Sequence, residues 1–396
     1  MIFKKNEIQL LYPFYLYYFI IGLSEMITPF LFIYFLNLNF SFFQIAMLFT
    51  IYSVSMFIFE IPTGAFADGY SRKKSVILGF LIVGITVIVM SFFSNFLIIL
   101  LLFICFGFGM TFVSGAEEAW VIDNLNHYKR QDLHQEYFIK SQAIIAFARI
   151  IAPLIGAFIV MNSSIKPLWF VWGGGFLLGG IMLFVFGEEK YKPNKIKMTN
   201  VYEKTIKNGK EGLMYSLRHK NVFYLILASI FFAMMIVDED YWQPFLTDLG
   251  MPIYALGFVF AGIAAISAII PFTAKYFSKY KVKNVFIFLI SFRILLLTLV
   301  LLLHPPLFIY GIGIFILSES LVSLRHPILG PYFQKNVPKK VRATVTSIKS
   351  MGTQLGLGLG GLILGFLADI VGVQILIPLT GIFGLTAIYC FTKIKE

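Results

Sequence analysis

The sequence has 396 residues, of which 59% are hydrophobic and only 13% are charged, and its formal net charge is +12 at pH 7. This composition excludes a soluble globular protein, in which about 25% of the residues are charged. The positive charge does not indicate nucleic-acid binding, because the basic residues stand in short segments between long apolar runs. The composition is typical of a protein with many membrane-spanning helices.

Apolar runs long enough to cross a bilayer recur along the whole chain. A membrane helix needs about 20 apolar residues, and twelve runs of this kind predict twelve spans. The first run lacks a cleavage site of small residues, so we expect it to stay as an anchor. The predicted spans are 10–36, 42–66, 74–94, 96–122, 137–161, 167–187, 220–246, 252–275, 284–303, 305–333, 342–368 and 371–392.

Basic residues are distributed unevenly among the segments between these spans. The two termini and the loops after the second, fourth, sixth, eighth and tenth spans hold 26 of the 32 lysines and arginines. The remaining loops hold one, Lys166. Loops rich in Lys and Arg stay in the cytoplasm. The asymmetry therefore predicts an integral protein of the inner (plasma) membrane with both termini in the cytoplasm.

A short polar stretch, EIPTGAFADGYSRKK at 60–74, separates the second and third apolar runs. It predicts a tight cytoplasmic hairpin in which Gly64 lets two helix ends approach closely. The stretch resembles the loop between helices 2 and 3 of the major facilitator superfamily (MFS), whose pattern is G-x-L-A-D-R-x-G-R-K. The matching residues are Gly64, Ala67, Asp68, Arg72 and Lys73, whereas Gly69 and Ser71 depart from the pattern.

Two other stretches are similar to parts of the same superfamily. FEIPTG near residue 59, together with SGAEEAWVID at 114–123, resembles a bacterial branch of it. The segment 148–157 is similar to the pattern G-x-x-x-G-P-x-x-G-G, which is associated with exporters, although a proline can also simply kink a membrane helix. The Arg-containing pattern that many drug–proton antiporters carry on the fourth span is missing here.

The resemblance implies an all-α membrane protein with the MFS fold, which has 12 transmembrane helices in two pseudo-symmetric six-helix bundles. We predict an N-terminal bundle at 1–187, a cytoplasmic linker with an amphipathic helix at 188–219, and a C-terminal bundle at 220–396. Ile139-Lys140-Ser141 recurs 209 residues later as Ile348-Lys349-Ser350, which is consistent with an internal repeat. In the superfamily, helices 3, 6, 9 and 12 stand outside and the other eight line the cavity.

Ionisable residues inside membrane spans are costly and mark functional positions. Here they fall on the spans expected to line the cavity, apart from Arg293 on the ninth. We divide the candidates into three groups. The predicted proton-coupling residues are Glu25, Asp238, Glu239 and Glu319; the predicted substrate-cavity residues are Arg149, Arg325, His326, Lys349 and Trp242; and the predicted cytoplasmic gate comprises Gly64, Asp68, Arg72, Lys73, Glu117, Glu118, Asp123 and Arg342.

Two of these assignments have a specific physical basis. Glu25 is the main coupling candidate because an isolated carboxyl in a dry site can carry a proton. Asp68 is expected to meet the start of the eleventh span at 342–344, where free backbone N–H groups and the helix dipole stabilise a carboxylate. Structural alternatives stay open: Glu25 could be held by hydrogen bonds, and the gate acids could pair with Arg325, His326 and Lys349.

These observations predict a secondary active transporter of a small anionic or zwitterionic solute, coupled to protons or to another ion and working by alternating access. The alternative within transport is efflux of drugs or toxic compounds by proton antiport. A membrane-embedded enzyme and a non-transporting sensor are remoter alternatives, because the five histidines are scattered and no soluble domain is appended. We expect no cofactor, no metal and no nucleic-acid partner, and we expect a monomer in the lipid bilayer.

Overall fold

The computed structural model describes residues 3–190, 212–338 and 341–395. The linker prediction falls largely on 191–211, which lies outside the described residues. Its C-terminal part is described, and residues 212–218 are helical.

Twelve helices in the described part of the chain are long and apolar enough to cross a membrane, which confirms the predicted number. Helices satisfy every backbone hydrogen bond within the segment, as a lipid environment requires. The twelve are α1 Glu7–Asn37, α2 Phe42–Gly69, α3 Arg72–Met90, α4 Phe96–His127, α5 Gln131–Asn162, α6 Lys166–Phe186, α7 Lys220–Asp248, α8 Ala255–Phe277, α9 Val282–Leu302, α10 Phe308–Asn336, α11 Thr344–Val371 and α12 Val373–Thr392.

Four of these helices are interrupted near candidate functional residues. In α1 the backbone is 3-10 helical over Glu25–Phe30, and in α7 it is 3-10 helical over Ile236–Asp238. The α-helical part of α4 ends at Val113, and a second part begins at Ala116 after Gly115, whose φ is +71°. Helix α10 is similarly divided between Val322 and Arg325. Such breaks in long helices are common at functional sites.

A tight turn does lie within the predicted hairpin stretch at 60–74, but it comes at Tyr70 and Ser71, later than Gly64. Helix α2 continues through this stretch to Gly69, and α3 begins at Arg72, so only Tyr70 and Ser71 separate the two helices. The Ser71 side chain caps α3 by accepting a hydrogen bond from the Lys74 N–H at 3.0 Å. A helix that continues keeps its backbone N–H and C=O groups paired near the membrane, whereas an early turn would expose them. A Cβ built on Gly64 would meet no atom of the described residues within 4 Å, so no close approach of helix ends is seen there.

The chain forms two compact units. Unit 1 comprises Met1–Tyr34, Ile51–Met198 and Tyr254–Ala261, and unit 2 comprises Phe35–Thr50, Thr199–Ile253 and Gly262–Glu396. The predicted domain boundaries at 187 and 220 stay a prediction.

Small residues bring helices close together within each unit. In unit 1, a Cβ on Gly84 of α3 would lie 2.8 Å from the Gly173 carbonyl oxygen of α6, and a Cβ on Gly173 would lie 2.6 Å from the Gly84 oxygen. In unit 2, a Cβ on Gly356 of α11 would lie 2.7 Å from the Ile230 oxygen of α7. Close packing of this kind stabilises membrane helices, because lipid provides little hydrophobic driving force between them.

Candidate functional site

A buried ionic cluster lies inside unit 2, where α7, α9 and α10 meet. One nitrogen of Arg293, Nη2, donates to Asp238 at 2.6 Å and to Glu319 at 2.7 Å. The other terminal nitrogen, Nη1, donates to the Ser318 carbonyl at 2.8 Å. The exposed fractions of the Arg293, Asp238 and Glu319 side chains are 2%, 0% and 6%. We call these three residues the unit 2 triad.

The unit 2 triad has more acid than base. Two carboxylates share one guanidinium, so the triad has a net negative charge when both acids are ionised. Glu239 and Asp240 follow directly in sequence, and among the described residues neither forms an ion pair. Burying charge is costly unless each ion has a partner. A single proton on Asp238 or Glu319 would make the triad itself neutral.

Sequence reasoning missed the role of Arg293 and misjudged that of Trp242. Arg293 stood out as the one ionisable residue inside a predicted outer helix, and that signal could have identified it. Trp242, predicted to line the substrate cavity, is instead fully buried in unit 2. Its indole N–H donates to Asp238 at 3.2 Å, and its ring stacks on Phe315 with centroids 4.9 Å apart. Trp242 therefore positions an acid of the triad rather than lining a cavity.

The predicted residues Glu25 and Arg149 meet in unit 1. The guanidinium of Arg149 donates from Nε and Nη2 to the two Glu25 oxygens, at 2.7 and 3.1 Å. The expectation of an isolated Glu25 carboxyl in a dry site is therefore wrong, because α5 supplies a cation and both side chains are partly exposed, by 24% and 54%. Two-pronged Arg–carboxylate pairs are strong and directional.

Glu117, predicted as a gate residue, is buried beside two tyrosines of unit 1. Its oxygens accept hydrogen bonds from Tyr137 at 2.5 Å and from Tyr18 at 2.8 Å, and only 4% of the residue is exposed. The next residue, Glu118, is exposed. The tyrosines could not be identified from the sequence, because nothing in their spacing shows that they meet Glu117.

The other motif residues join helix ends at one end of unit 1. Arg72 pairs with Asp68 and with Asp123, and it also donates to the Ala119 carbonyl at 2.7 Å. The amine of Lys73 donates to the Gly187 carbonyl at 2.6 Å. The matching residues thus hold α2, α3, α4 and the end of α6 together.

The Glu188 carboxyl and a cavity lie beside this end of unit 1. The Tyr128 hydroxyl, 2.7 Å from Glu188, and the nearby Lys190 hold the pKa of the Glu188 carboxyl below its ordinary value. A cavity of about 330 Å³ opens between α1 and α4, with Tyr12, Asn124 and Glu188 in its lining. None of the residues predicted to bind the solute lines it.

Arg325 and Lys349 are two half-buried cations of unit 2. Arg325 lies over the Phe232 ring, 5.2 Å from its centroid, and Lys349 lies over the Phe333 ring at 4.6 Å. The two cations are close enough to repel each other, and among the described residues neither forms an ion pair. Their neighbour His326 is exposed. Cations without an acidic partner are costly inside a membrane span.

Arg342, another predicted gate residue, makes a local contact within unit 2. Arg342 donates to the Val337 carbonyl at 3.1 and 3.2 Å, both residues belonging to unit 2. In the part of the chain that the structure describes, no group of three or more His, Cys, Asp or Glu residues could hold a metal ion.

Comparisons with known proteins agree with this architecture. A relative from Bacillus subtilis (strain 168), named as the uncharacterized MFS-type transporter YxaM, is 25% identical over 378 residues, covering 93% of this chain and 92% of its own. An uncharacterized MFS-type transporter of Methanocaldococcus jannaschii is 23% identical and covers 91% of each chain.

Solved structures of similar fold are also transporters. The nucleoside transporter NupG aligns with a TM-score of 0.79 at 15% identity, covering 99% of both chains. A bacterial homologue of the lysosomal transporter Spinster gives 0.76 at 14% identity, covering 98% of this chain and 97% of its own, and one of the iron transporter ferroportin gives 0.73 at 14%, covering 98% and 99%. The sequence profile of the Major Facilitator Superfamily matches residues 14–348. The chain therefore belongs to the Major Facilitator Superfamily, and it is a membrane transporter rather than an enzyme.

Proposed function

We propose that this transporter moves a small anionic or zwitterionic solute across the inner membrane by alternating access, with the movement coupled to protons and both termini in the cytoplasm. The observation that carries the proposal is the pair Arg325 and Lys349. These are two half-buried cations that aromatic rings contact but, among the described residues, no carboxylate neutralises.

The charge of the solute follows from the energetics of this pair. Two like charges that are partly removed from water repel each other, and a cation–π contact offsets only about 0.5–2 kcal/mol of the cost. A carboxylate or phosphate of a solute would accept hydrogen bonds from both side chains and would remove the repulsion. Arg149 is a weaker candidate, because Glu25 already accepts two of its hydrogen bonds.

The proton coupling follows from the excess of acid in unit 2. Protonation of Glu319 or Asp238 would leave the Arg293 guanidinium with a single carboxylate partner and would change the net charge of the triad. Glu239 directly follows Asp238 in the sequence and adds a further carboxyl beside this cluster. A change of charge that differs between two conformations shifts the equilibrium between them.

The test of the solute's charge is a thermal-shift screen of the purified protein against small organic anions, zwitterions and amines at two pH values. We expect anions or zwitterions to stabilise the protein. Lys349→Gln and Arg325→Gln should each weaken the affinity for the best compound at least about tenfold, since each removes a charge-assisted hydrogen bond. Lys166→Gln, in an outer loop, is the matched control. If both cavity variants bind the compound normally, the anion site is refuted, and stabilisation by cationic amphipathic drugs alone would favour the efflux alternative.

The test of proton coupling uses vesicles that contain the purified transporter and the solute found in the screen. Glu319→Gln mimics the protonated carboxyl, so it should abolish accumulation driven by a pH gradient while keeping exchange of solute without a gradient. Glu25→Gln is the comparison, because Glu25 is the predicted coupling residue of unit 1 and belongs to a partly exposed ion pair. Gradient-driven uptake at the wild-type rate in both variants would refute coupling through these residues. The predicted gate at Asp68 stays a prediction.

A further inference from the structure

Glu117 and two tyrosines form a closed hydrogen-bonded cluster in unit 1. Tyr137 of α5 and Tyr18 of α1 donate to different oxygens of the Glu117 carboxylate, at 2.5 and 2.8 Å. The two hydroxyl oxygens lie 3.3 Å from each other. Glu117 is 4% exposed and Tyr137 is fully buried. We call these three residues the Glu117 cluster.

No cation among the described residues pairs with the Glu117 cluster. The other titratable groups that face it are acids or phenols, namely Glu118 on its own helix and Tyr17 on α1. Arg72, which donates to the carbonyl of Ala119 on the same helix, is held by acids at the end of unit 1.

The lysine and the arginine of α5 also have partners elsewhere. Lys140 lies 2.6 Å from Glu7 and 3.1 Å from Glu136, and Arg149 pairs with Glu25. Neither of these two cations is therefore available to the Glu117 cluster, although Tyr137 belongs to the same helix.

The backbone of α4 is interrupted close to Glu117, which allows the position of its carboxyl group to change. Helix α4 is interrupted at Ser114 and Gly115, and its second part begins at Ala116. Gly115 has a φ of +71°, a conformation that residues with a side chain rarely adopt. Glu117 is the second residue after this break, so a rotation of the second part would move its carboxyl relative to Tyr18 and Tyr137.

A buried carboxylate without a cation is costly, and two hydroxyl donors offset only part of that cost. The neutral carboxyl avoids most of it and can keep both tyrosines as partners, because it retains acceptor oxygens and gains one donor. Glu25 has a cation and the unit 2 triad has Arg293, so the Glu117 cluster differs from both.

We propose that Glu117, held by Tyr18 and Tyr137, is a proton-binding site of unit 1 rather than a gate residue. The site binds and releases one proton at the carboxyl group, and the hydroxyls of both tyrosines position that carboxyl. Its part in transport rests on the proposed proton coupling, but its existence as a proton site does not.

The experiment is an infrared titration of the purified protein without any solute, following the C=O stretch of protonated carboxyl groups from acidic to alkaline pH. The wild-type protein should show a component that Glu117→Gln removes and that Glu118→Gln, the exposed neighbour, retains. Tyr137→Phe should shift the midpoint of that component to higher pH by about one unit or more, because it removes a hydrogen bond to the charged form. Size-exclusion profiles and melting temperatures show whether each variant is folded.

The outcomes separate this site from the proposed function. If the folded Glu117→Gln variant shows the same C=O component at the same intensity as the wild-type protein, the proposal is overturned. If that variant does not fold, Tyr137→Phe and Tyr18→Phe decide, and an unchanged frequency and midpoint in both would overturn it as well. Since no solute or gradient is used, a failure of the vesicle experiment on Glu319 leaves this result unaffected.

Discussion

Arg293 is the single cation of the unit 2 triad. Its guanidinium makes three hydrogen bonds with its terminal nitrogens and contacts both acids, and it is almost wholly buried. A buried ion pair need not stabilise a fold relative to apolar side chains, but removing one partner leaves the others buried and uncompensated. The triad therefore makes unit 2 sensitive to the loss of its single cation.

We expect Arg293→Gln to lower the free energy of unfolding by about 3–5 kcal/mol, because Asp238 and Glu319 lose their shared cation. Arg149→Gln is the matched control: it also breaks an Arg–carboxylate pair, but a partly exposed one, so a loss of about 0–1 kcal/mol is expected. Thermal unfolding of the purified variants in the same detergent measures both. Equal losses in the two variants would contradict the assigned role of Arg293.

At the same scale, the sequence predicts which charged residues lie at a high energetic cost inside membrane spans, but not which of them form ion pairs with each other. Asp238, Glu319, Glu25 and Arg149 were all identified because charges are rare in membrane spans. Their partners depend on the rotation of each helix about its axis, and that rotation is set by packing. The chain separation between Asp238 and Arg293 is 55 residues, so no local spacing rule connects them.

At the scale of the element, the start of α2 is capped both by its own residues and by a residue of α11. The Ser41 N–H donates to Gln44, and the Gln44 N–H donates to Ser41, at 3.0 and 3.2 Å. This reciprocal capping gives two backbone N–H groups at the helix start a side-chain acceptor. Phe42 and Phe43 follow Ser41 in the sequence. Their N–H groups donate to the carboxylate of Asp369, near the end of α11, at 2.8 and 3.0 Å.

We expect Asp369→Ala to weaken the start of α2, because the Asp369 carboxylate accepts hydrogen bonds from the N–H groups of both Phe42 and Phe43. Loss of a carboxylate cap costs about 0.5–2 kcal/mol, so hydrogen exchange at these two amides should accelerate about tenfold. Gln44→Ala is the matched control, since it removes only the acceptor of the Ser41 N–H. Unchanged exchange at Phe42 and Phe43 in Asp369→Ala, measured by mass spectrometry of peptides covering 40–46, would refute this cap.

The elements themselves are largely predictable, whereas their ends and interruptions are not. The number of spans follows from the lengths of apolar runs. The turn of the hairpin predicted at 60–74 comes later than Gly64, because glycine and aspartate at a membrane surface are compatible with a continuing helix. The 3-10 segment at Glu25–Phe30 contains Pro29, which has no backbone N–H to donate within the helix.

At the scale of the whole molecule, the apolar runs predicted the twelve helices, and the motif stretch at 60–74 indicated the family by resemblance. The family profile and the twelve apolar helices confirm both. The solute and the coupling ion depend on a few side chains, and relatives of 25% identity or less share the fold without fixing those side chains.

The orientation in the membrane is a whole-molecule prediction that depends on no single contact. Lysine and arginine hold loops on the cytoplasmic side, and Lys166 is the one basic residue in the loops assigned to the outside. Single cysteines can test this in a background where Cys105 and Cys390 are replaced by serine. A membrane-impermeant thiol reagent added to intact cells should label Ser164→Cys and should leave Lys395→Cys unlabelled until the cells are opened. Labelling of Lys395→Cys from outside would place the C-terminus on the other side and would overturn the proposed topology.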